Sequence, residues 1–151
     1  MGGSNNFKNL MLNRVVDVYR VPSFFGVGGF GTDFVVLPDI AFNDIYGDRY
    51  LWAKGTIIHE FSHVWDVRHS LLLSTDMNNL THSFGPSCPG AGKCHVVYIG
   101  GIEEPPTIYA RTNQLEDFAE SVRSFFIPGY GILRPIRRKY ITQVLDNHGL
   151  P

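Results

Sequence analysis

The residues of this chain whose types and spacing could do chemistry lie in the segment HEFSH, residues 59 to 63. On an α-helix, residues four apart lie one above the other, so His59 and His63 would present imidazoles that one tetrahedral zinc ion can bridge. Glu60 lies one position further round, where its carboxylate can reach a water at an open coordination position. This is the HExxH motif. Its chemistry is hydrolysis, because zinc lowers the pKa of that water toward about 7 and Glu60 takes the proton as the water attacks a carbonyl.

A catalytic zinc site usually has three protein ligands and a water, so a third ligand has to be found. One candidate is His69, since the spacing H-E-x-x-H-x-x-D-x-x-H resembles the metzincin signature. A helix that continues past His63 would carry His69 about 240° around its axis, away from the metal. Metzincins end this helix at a glycine, whereas this chain has Asp66, which adopts a left-handed turn less readily.

The other candidate lies in YARTNQLEDFAES, residues 109 to 121. Here the chain resembles the gluzincin metallopeptidases, most closely catalytic domains of the anthrax lethal factor type, in which HEFxH is followed by an E-x-F-A-E helix. The resemblance implies that Glu116 is the third zinc ligand. It also implies that Glu120, one turn later, accepts a hydrogen bond from a zinc-bound histidine such as His59, and that Tyr109 donates one to the developing oxyanion.

The resemblance spans roughly residues 56 to 126 and depends on two short motifs. It implies a zincin-like fold, a Zn²⁺ cofactor and hydrolysis of a peptide or protein substrate. Two alternatives stay open: a metzincin-like site that uses His69, and a zinc-stabilised toxin or interaction module without peptidase activity. Manganese, cobalt or nickel could also load such a site.

Two neighbours of the motif have several interpretations. Asp66 returns to the metal face three residues after His63, so it could orient a ligand, cap the helix or pair with Arg68. Trp65 is interpreted as a core residue.

The elements that must position these residues are predicted from hydrophobic periodicity. VVDVYRV (15 to 21) and TDFVVLPDIAF (32 to 42) favour two strands around a glycine-rich loop, although the first could extend a helix from Asn6. DFVVLPDIAF is expected to be an edge strand along the cleft, where a peptide could add as a further strand. GDRYLWAKGTIIHEFSHVWDV has the apolar stripe of an amphipathic helix. Residues 70 to 106 look rich in loops, with HVVYIGG as a short strand.

Two further helices are predicted towards the end of the chain. The first is capped by Thr112 or Asn113 and stopped by Pro128-Gly129, and the second begins at Pro135 and ends near Gly149. The basic run in the second helix is interpreted as a solvated face; it comprises Arg134, Arg137, Arg138 and Lys139. The expected fold is α+β: a small, twisted, mostly antiparallel sheet packed on the HExxH helix and the glutamate-bearing helix.

Composition limits the remaining possibilities. With 151 residues, 44% hydrophobic and 18% charged, the chain is expected to form a single domain over residues 1–151. A formal net charge of -1 gives no basic field for nucleic acid, and no apolar run is long enough to span a membrane. MGGS at the N terminus resembles an expression scar and no signal peptide is recognisable, so the compartment stays open, with a secreted or toxin origin slightly favoured. Cys88 and Cys94 can form a disulfide or remain thiols. Oligomeric state leaves no trace in the sequence.

Overall fold

The computed structural model describes residues 16–22, 29–30, 34–39, 49–89 and 93–147, which form a mixed α+β arrangement as expected. The order of its elements is β1 Asp17–Val21, β2 Gly29–Phe30, β3 Phe34–Pro38, α1 Arg49–Arg68, α2 Leu72–Thr81, β4 Phe84–Ser87, β5 His95–Tyr98, a 3-10 helix Tyr109–Arg111, α3 Gln114–Phe126 and α4 Pro135–Asp146. The predictions for residues 1–4, for a helix from Asn6, for most of the glycine-rich loop and for a helix end near Gly149 lie outside the described residues. None of the helices described here is both long and apolar enough to cross a bilayer.

β3 is the central strand of a three-stranded sheet, so its prediction as an edge strand is wrong. It pairs with β1 in parallel over five residues and with β2 in an antiparallel ladder that joins Val35 to Phe30 and Val36 to Gly29. A peptide therefore cannot add to β3 at these two residues. The sheet is also not mostly antiparallel, because five of its seven paired positions join β1 and β3 in parallel.

α1 lies between two apolar clusters, which explains its length and its position. Val64 packs against Val35 and Leu37 of the sheet. Trp65, only 1% exposed, belongs to the cluster formed with the other three helices, and its ring lies 5.7 Å from that of Phe118. Successive helical residues are about 100° apart, so burial of these two flanks turns the face that carries the HExxH polar residues towards α3.

α2 was not predicted, because residues 70 to 106 were expected to be rich in loops. Its buried side chains include Leu73 and Met77, which are spaced as on one helix face. The residue before the helix, Leu71, provides no side-chain cap. Asp66 provides the cap instead, since its Oδ1 accepts a hydrogen bond from the Ser74 backbone N–H at 3.0 Å. Of the roles expected for Asp66, capping is the one shown by its hydrogen bonds, and the capped helix is the next one along the chain.

β4 and β5 form an antiparallel hairpin in which Phe84 pairs with Tyr98 and Ser87 with His95. The predicted strand at HVVYIGG is confirmed over β5, whereas β4 was missed. One residue beyond the last pair, Cys88 and Cys94 form a disulfide, which joins the two strands at that end of the hairpin.

Arg137 of α4 is fully buried, so its interpretation as part of a solvated basic face is wrong. Its guanidinium makes two hydrogen bonds to Asp117 of α3, from Nε to Oδ1 at 3.0 Å and from Nη2 to Oδ2 at 2.7 Å. Nη2 also donates to Ser83 Oγ at 2.7 Å, and Nη1 donates to the Glu103 carbonyl at 3.0 Å. Arg137 therefore ties α3 and α4 to the segments just before β4 and after β5, at the open end of the hairpin.

We expect Arg137→Met to lower the free energy of unfolding by about 3–5 kcal/mol, because it leaves the buried Asp117 carboxylate without its partner. Urea unfolding of the metal-free protein measures this loss. Arg138→Met is the matched control, since Arg138 is exposed and its replacement should change the free energy by no more than about 0.5 kcal/mol. Equal effects of the two substitutions would contradict the assigned role of Arg137.

Candidate metal centre

Three side chains from two helices converge beside α1. His59 and His63 lie one helical turn apart on α1, and Glu116 reaches them from α3. The Nε2 atoms of the two histidines are 3.1 Å apart, and Glu116 Oε2 lies 3.1 Å from that of His59 and 3.3 Å from that of His63. All three residues lie largely inside the protein, since both imidazoles are buried and the carboxylate is mostly so.

The start of α3 positions Glu116. Asn113 is its N-cap, as one of the two predicted alternatives, and its side chain accepts hydrogen bonds from the backbone N–H groups of Leu115 and Glu116. Glu116 therefore lies in the first turn of α3, where the positive end of the helix dipole favours a carboxylate.

The spacing of the three atoms fits a metal ion. In a tetrahedral zinc site with bonds of about 2.0–2.1 Å, neighbouring ligand atoms are roughly 3.3 Å apart. Glu116 Oε2 is buried and makes no hydrogen bond of good geometry in the described part of the chain, although two ring nitrogens lie next to it. A buried oxygen of this kind is costly unless a cation satisfies it. His59, His63 and Glu116 thus form a group that can hold a metal ion.

Glu120 sets the protonation of His59. Its Oε1 lies 2.9 Å from His59 Nδ1, and the carboxylate is completely buried. A carboxylate can only accept here, so Nδ1 carries the proton and, in the neutral ring, Nε2 keeps a lone pair directed at His63 and Glu116. This is the tautomer that a metal ligand needs.

The charges around the group also favour a divalent cation. Glu60, Glu116 and Glu120 lie close together. Burial acts to raise the pKa of Glu60 and of Glu120, and the charge of Arg123, the nearby cation among the described side chains, opposes it. With neutral imidazoles, these three carboxylates and one guanidinium leave two negative charges uncompensated. A divalent ion held by His59, His63 and Glu116 would neutralise them.

Without a metal ion, a proton takes over part of this compensation. Burial alone would lower the pKa of His59, but the carboxylates of Glu116 and Glu120 outweigh it and raise the pKa to about 9. Burial would raise the pKa of Glu116, but His59 and His63 outweigh it and lower the pKa to about 2. The metal-free site therefore holds a protonated His59 beside an ionised Glu116 at neutral pH.

We expect the apparent zinc affinity to rise about tenfold per pH unit between pH 7 and 8, because zinc has to displace the His59 proton and the pKa of that ring is about 9. Competition with a chelator of known pH dependence measures the affinity at each pH. A ring with the ordinary pKa near 6.5 would already be about three-quarters deprotonated at pH 7, so a nearly flat affinity profile between pH 7 and 8 would contradict the prediction.

Glu60 lies next to the metal group but outside the triangle of ligand atoms. Its side chain is only 7% exposed, and burial raises its pKa above the ordinary value, against the opposing charges of His59 and His63. A carboxylate with a raised pKa accepts a proton more readily than an exposed one near neutral pH. The arrangement is suited to proton transfer beside a cation.

Tyr109 is brought to the same site by the 3-10 helix. Its ring centroid lies 5.9 Å from that of His59, and half of the residue is exposed. Burial raises the pKa of its hydroxyl to about 12, with further contributions from the charge of Glu116 and a hydrogen bond to it. The hydroxyl thus keeps its proton and can donate a hydrogen bond from the open side of the site.

His69, the alternative ligand, is not brought into the group. α1 continues to Arg68, and the His69 backbone N–H still donates to the carbonyl oxygens of Trp65 and Asp66 in the following turn. The group that converges within the described residues contains His59, His63 and Glu116. Burial raises the pKa of Asp66, against hydrogen bonds from Ser74 that act to lower it.

Three residues around Glu120 were missed by sequence reasoning. Thr107 Oγ1 donates to Glu120 Oε2 at 2.8 Å, and Arg123 Nη1 lies 3.4 Å from Oε1. Tyr130 lies nearby, since burial raises the pKa of its hydroxyl and the charge of Glu120 adds to that rise. The Arg123 guanidinium also lies 3.7 Å from the centre of the Tyr130 ring. No motif marks Thr107 or Tyr130, because their contacts with Glu120 join separate segments of the chain. Arg123 lies three residues after Glu120 on α3, a spacing at which helical side chains meet.

Gly55 is a further sequence feature that indicates a close contact with α1. It lies inside α1, where glycine costs about 0.5–1 kcal/mol relative to alanine, so a close approach by another group is the usual reason for it. In the structure a Cβ at Gly55 would lie 2.7 Å from Arg123 Nε, and glycine therefore leaves the space that this guanidinium needs.

Comparisons of the chain with protein families, with curated proteins and with solved structures gave no match.

Proposed function

We propose that this protein is a zinc-dependent endopeptidase of the gluzincin type, with a zincin-like fold. The observation that carries the proposal is the triangle formed by His59 Nε2, His63 Nε2 and Glu116 Oε2, with sides of 3.1, 3.1 and 3.3 Å, beside a buried Glu60. Two histidines and a glutamate with an open position are the ligand set of hydrolytic zinc sites. A bound zinc ion would supply Lewis acidity, which polarises a carbonyl and makes water nucleophilic near neutral pH.

The side chains of this protein would carry out the proton transfers. Glu60 accepts a proton from the attacking water and later gives it to the leaving amine, since the same carboxylate can serve as base and then as acid. Tyr109 keeps its proton up to a pKa of about 12 and donates a hydrogen bond to the oxyanion that develops on the scissile carbonyl. Glu120 holds His59 in the required tautomer through its 2.9 Å contact with Nδ1.

Digestion of an unbiased peptide library with the zinc-loaded protein tests this function. We expect cleavage at internal peptide bonds, detected by mass spectrometry as new N termini, and loss of that cleavage when the zinc is removed by a chelator. The metal-free protein, reloaded with zinc, should regain it. Zinc-loaded protein that cleaves no member of the library would exclude a general peptidase and favour the zinc-stabilised toxin or interaction module.

A further inference from the structure

Thr107 makes hydrogen bonds both to Glu120 and to the turn that carries Tyr109. Its Oγ1 donates a hydrogen bond to Glu120 Oε2 at 2.8 Å and accepts one from the Ala110 backbone N–H at 3.1 Å. Ala110 is fully buried and lies in the 3-10 helix directly after Tyr109. One hydroxyl therefore joins the turn that carries Tyr109 to the carboxylate that holds His59.

The orientation of this hydroxyl is set by its two partners. Because the Ala110 N–H occupies a lone pair of Oγ1, the hydroxyl proton is left for Glu120. Glu120 in turn uses different oxygens for its two contacts, Oε2 for Thr107 and Oε1 for His59 Nδ1 at 2.9 Å. Rotation of the carboxylate would thus break both contacts together.

The other groups that approach Glu120 cannot replace this connection. Arg123 Nη1 is 3.4 Å from Oε1, at the long limit of a hydrogen bond. Tyr130 interacts with Glu120 from the segment after α3. Thr107 differs from both in also receiving a hydrogen bond from the backbone of the Tyr109 turn.

We propose that Thr107 is a positioning residue that aligns His59 for metal binding, through Glu120, and at the same time fixes the turn that presents Tyr109. The proposal depends on the metal site proposed above, but it does not depend on peptidase activity. Groups that hydrogen-bond a ligand directly, as Glu120 does, typically change metal affinity by about 10–100-fold when they are removed, and Thr107 acts through such a group, so its effect should lie near the lower end.

The test measures zinc affinity by chelator competition in Thr107→Val, which keeps the shape of the side chain and removes the hydroxyl. We expect a loss of about tenfold in zinc affinity, and recovery to within about threefold of the wild type in Thr107→Ser. In a Glu120→Gln background, Thr107→Val should cause a much smaller further loss, because the carboxylate through which it acts has changed.

Thr112→Val is the matched control for the turn itself. Thr112 Oγ1 donates to the Tyr109 carbonyl at 2.6 Å, and none of the contacts described for Glu120 involves it, so its removal should leave zinc affinity unchanged. Urea unfolding of each metal-free variant separates a loss of affinity from a loss of stability. A further test uses only the wild-type protein. Its Thr107 hydroxyl proton should exchange slowly with water and be visible by NMR.

Each opposite result would overturn the proposal. A wild-type zinc affinity in Thr107→Val would exclude alignment through Glu120. So would a zinc affinity of Thr107→Ser, or of Thr112→Val, as low as that of Thr107→Val. A Thr107 hydroxyl proton in fast exchange would do the same. A wild-type protein that binds no zinc would refute the metal site itself, whereas zinc binding unaffected by Thr107 would refute only this inference.

Discussion

Glu60→Gln is expected to lower the rate of peptide hydrolysis by about 10²–10⁴-fold while zinc stays bound, because glutamine fills the same space but cannot accept the proton of the attacking water. Glu60 is not among the three ligand atoms of the metal group, so its replacement should leave the ligands in place. Loss of its charge beside His59 and His63 should change zinc affinity much less than loss of a ligand. The measurement is the initial rate on the best peptide from the library, with zinc content determined on the same samples.

Asp146→Asn is the control for the loss of one negative charge, since Asp146 is exposed at the end of α4. It should hydrolyse the peptide at the wild-type rate. Glu60→Gln that binds zinc and still cleaves at that rate would show that another group takes the proton.

Glu116→Ala is expected to weaken zinc binding by more than about a hundredfold, whereas His69→Ala should leave it within about threefold of the wild type. Glu116 Oε2 lies within 3.3 Å of both ring nitrogens, and its removal leaves two histidines, which are too few for a catalytic zinc site. His69 belongs to the turn after α1, outside the group.

Chelator competition at one pH measures both affinities, and unfolding of the metal-free variants shows whether either has lost its fold. The two variants also distinguish between the gluzincin-type and the metzincin-like site, the two kinds of zinc site considered in the sequence analysis. A large loss in His69→Ala together with a small loss in Glu116→Ala would replace the gluzincin-type site by a metzincin-like one.

Much of the candidate site could be predicted from local sequence, for a geometric reason. The four-residue spacing of His59 and His63 places both rings on one face of any helix that contains them, and the same spacing places Glu116 and Glu120 together on α3. The N-cap at Asn113 was likewise one of two adjacent candidates, since capping depends on residues only two or three positions apart. That the two helices bring these pairs together was an implication of the resemblance, and the contact itself is visible only in the structure.

Other features were predicted wrongly or missed where the interacting residue or strand lies in a different segment of the chain. Arg137 looked solvated because its neighbours in sequence are basic, yet its partner is the buried Asp117 on another helix. α2 lacked a local start signal because Asp66 of the preceding helix supplies its cap. β3 was predicted from its β-branched and aromatic residues, but the number of its neighbours depends on where β1 and β2 lie.

The sequence by itself therefore determined which side chains can bind a metal and which face of each helix carries them, because helical geometry links spacing to direction. Only the tertiary structure decided that Glu116, and not His69, completes the group, and that Thr107 and Tyr130 lie near Glu120. The physical reason is that contacts between distant segments depend on how the helices pack. Packing is the sum of many weak apolar contacts, which leave no short pattern in the chain.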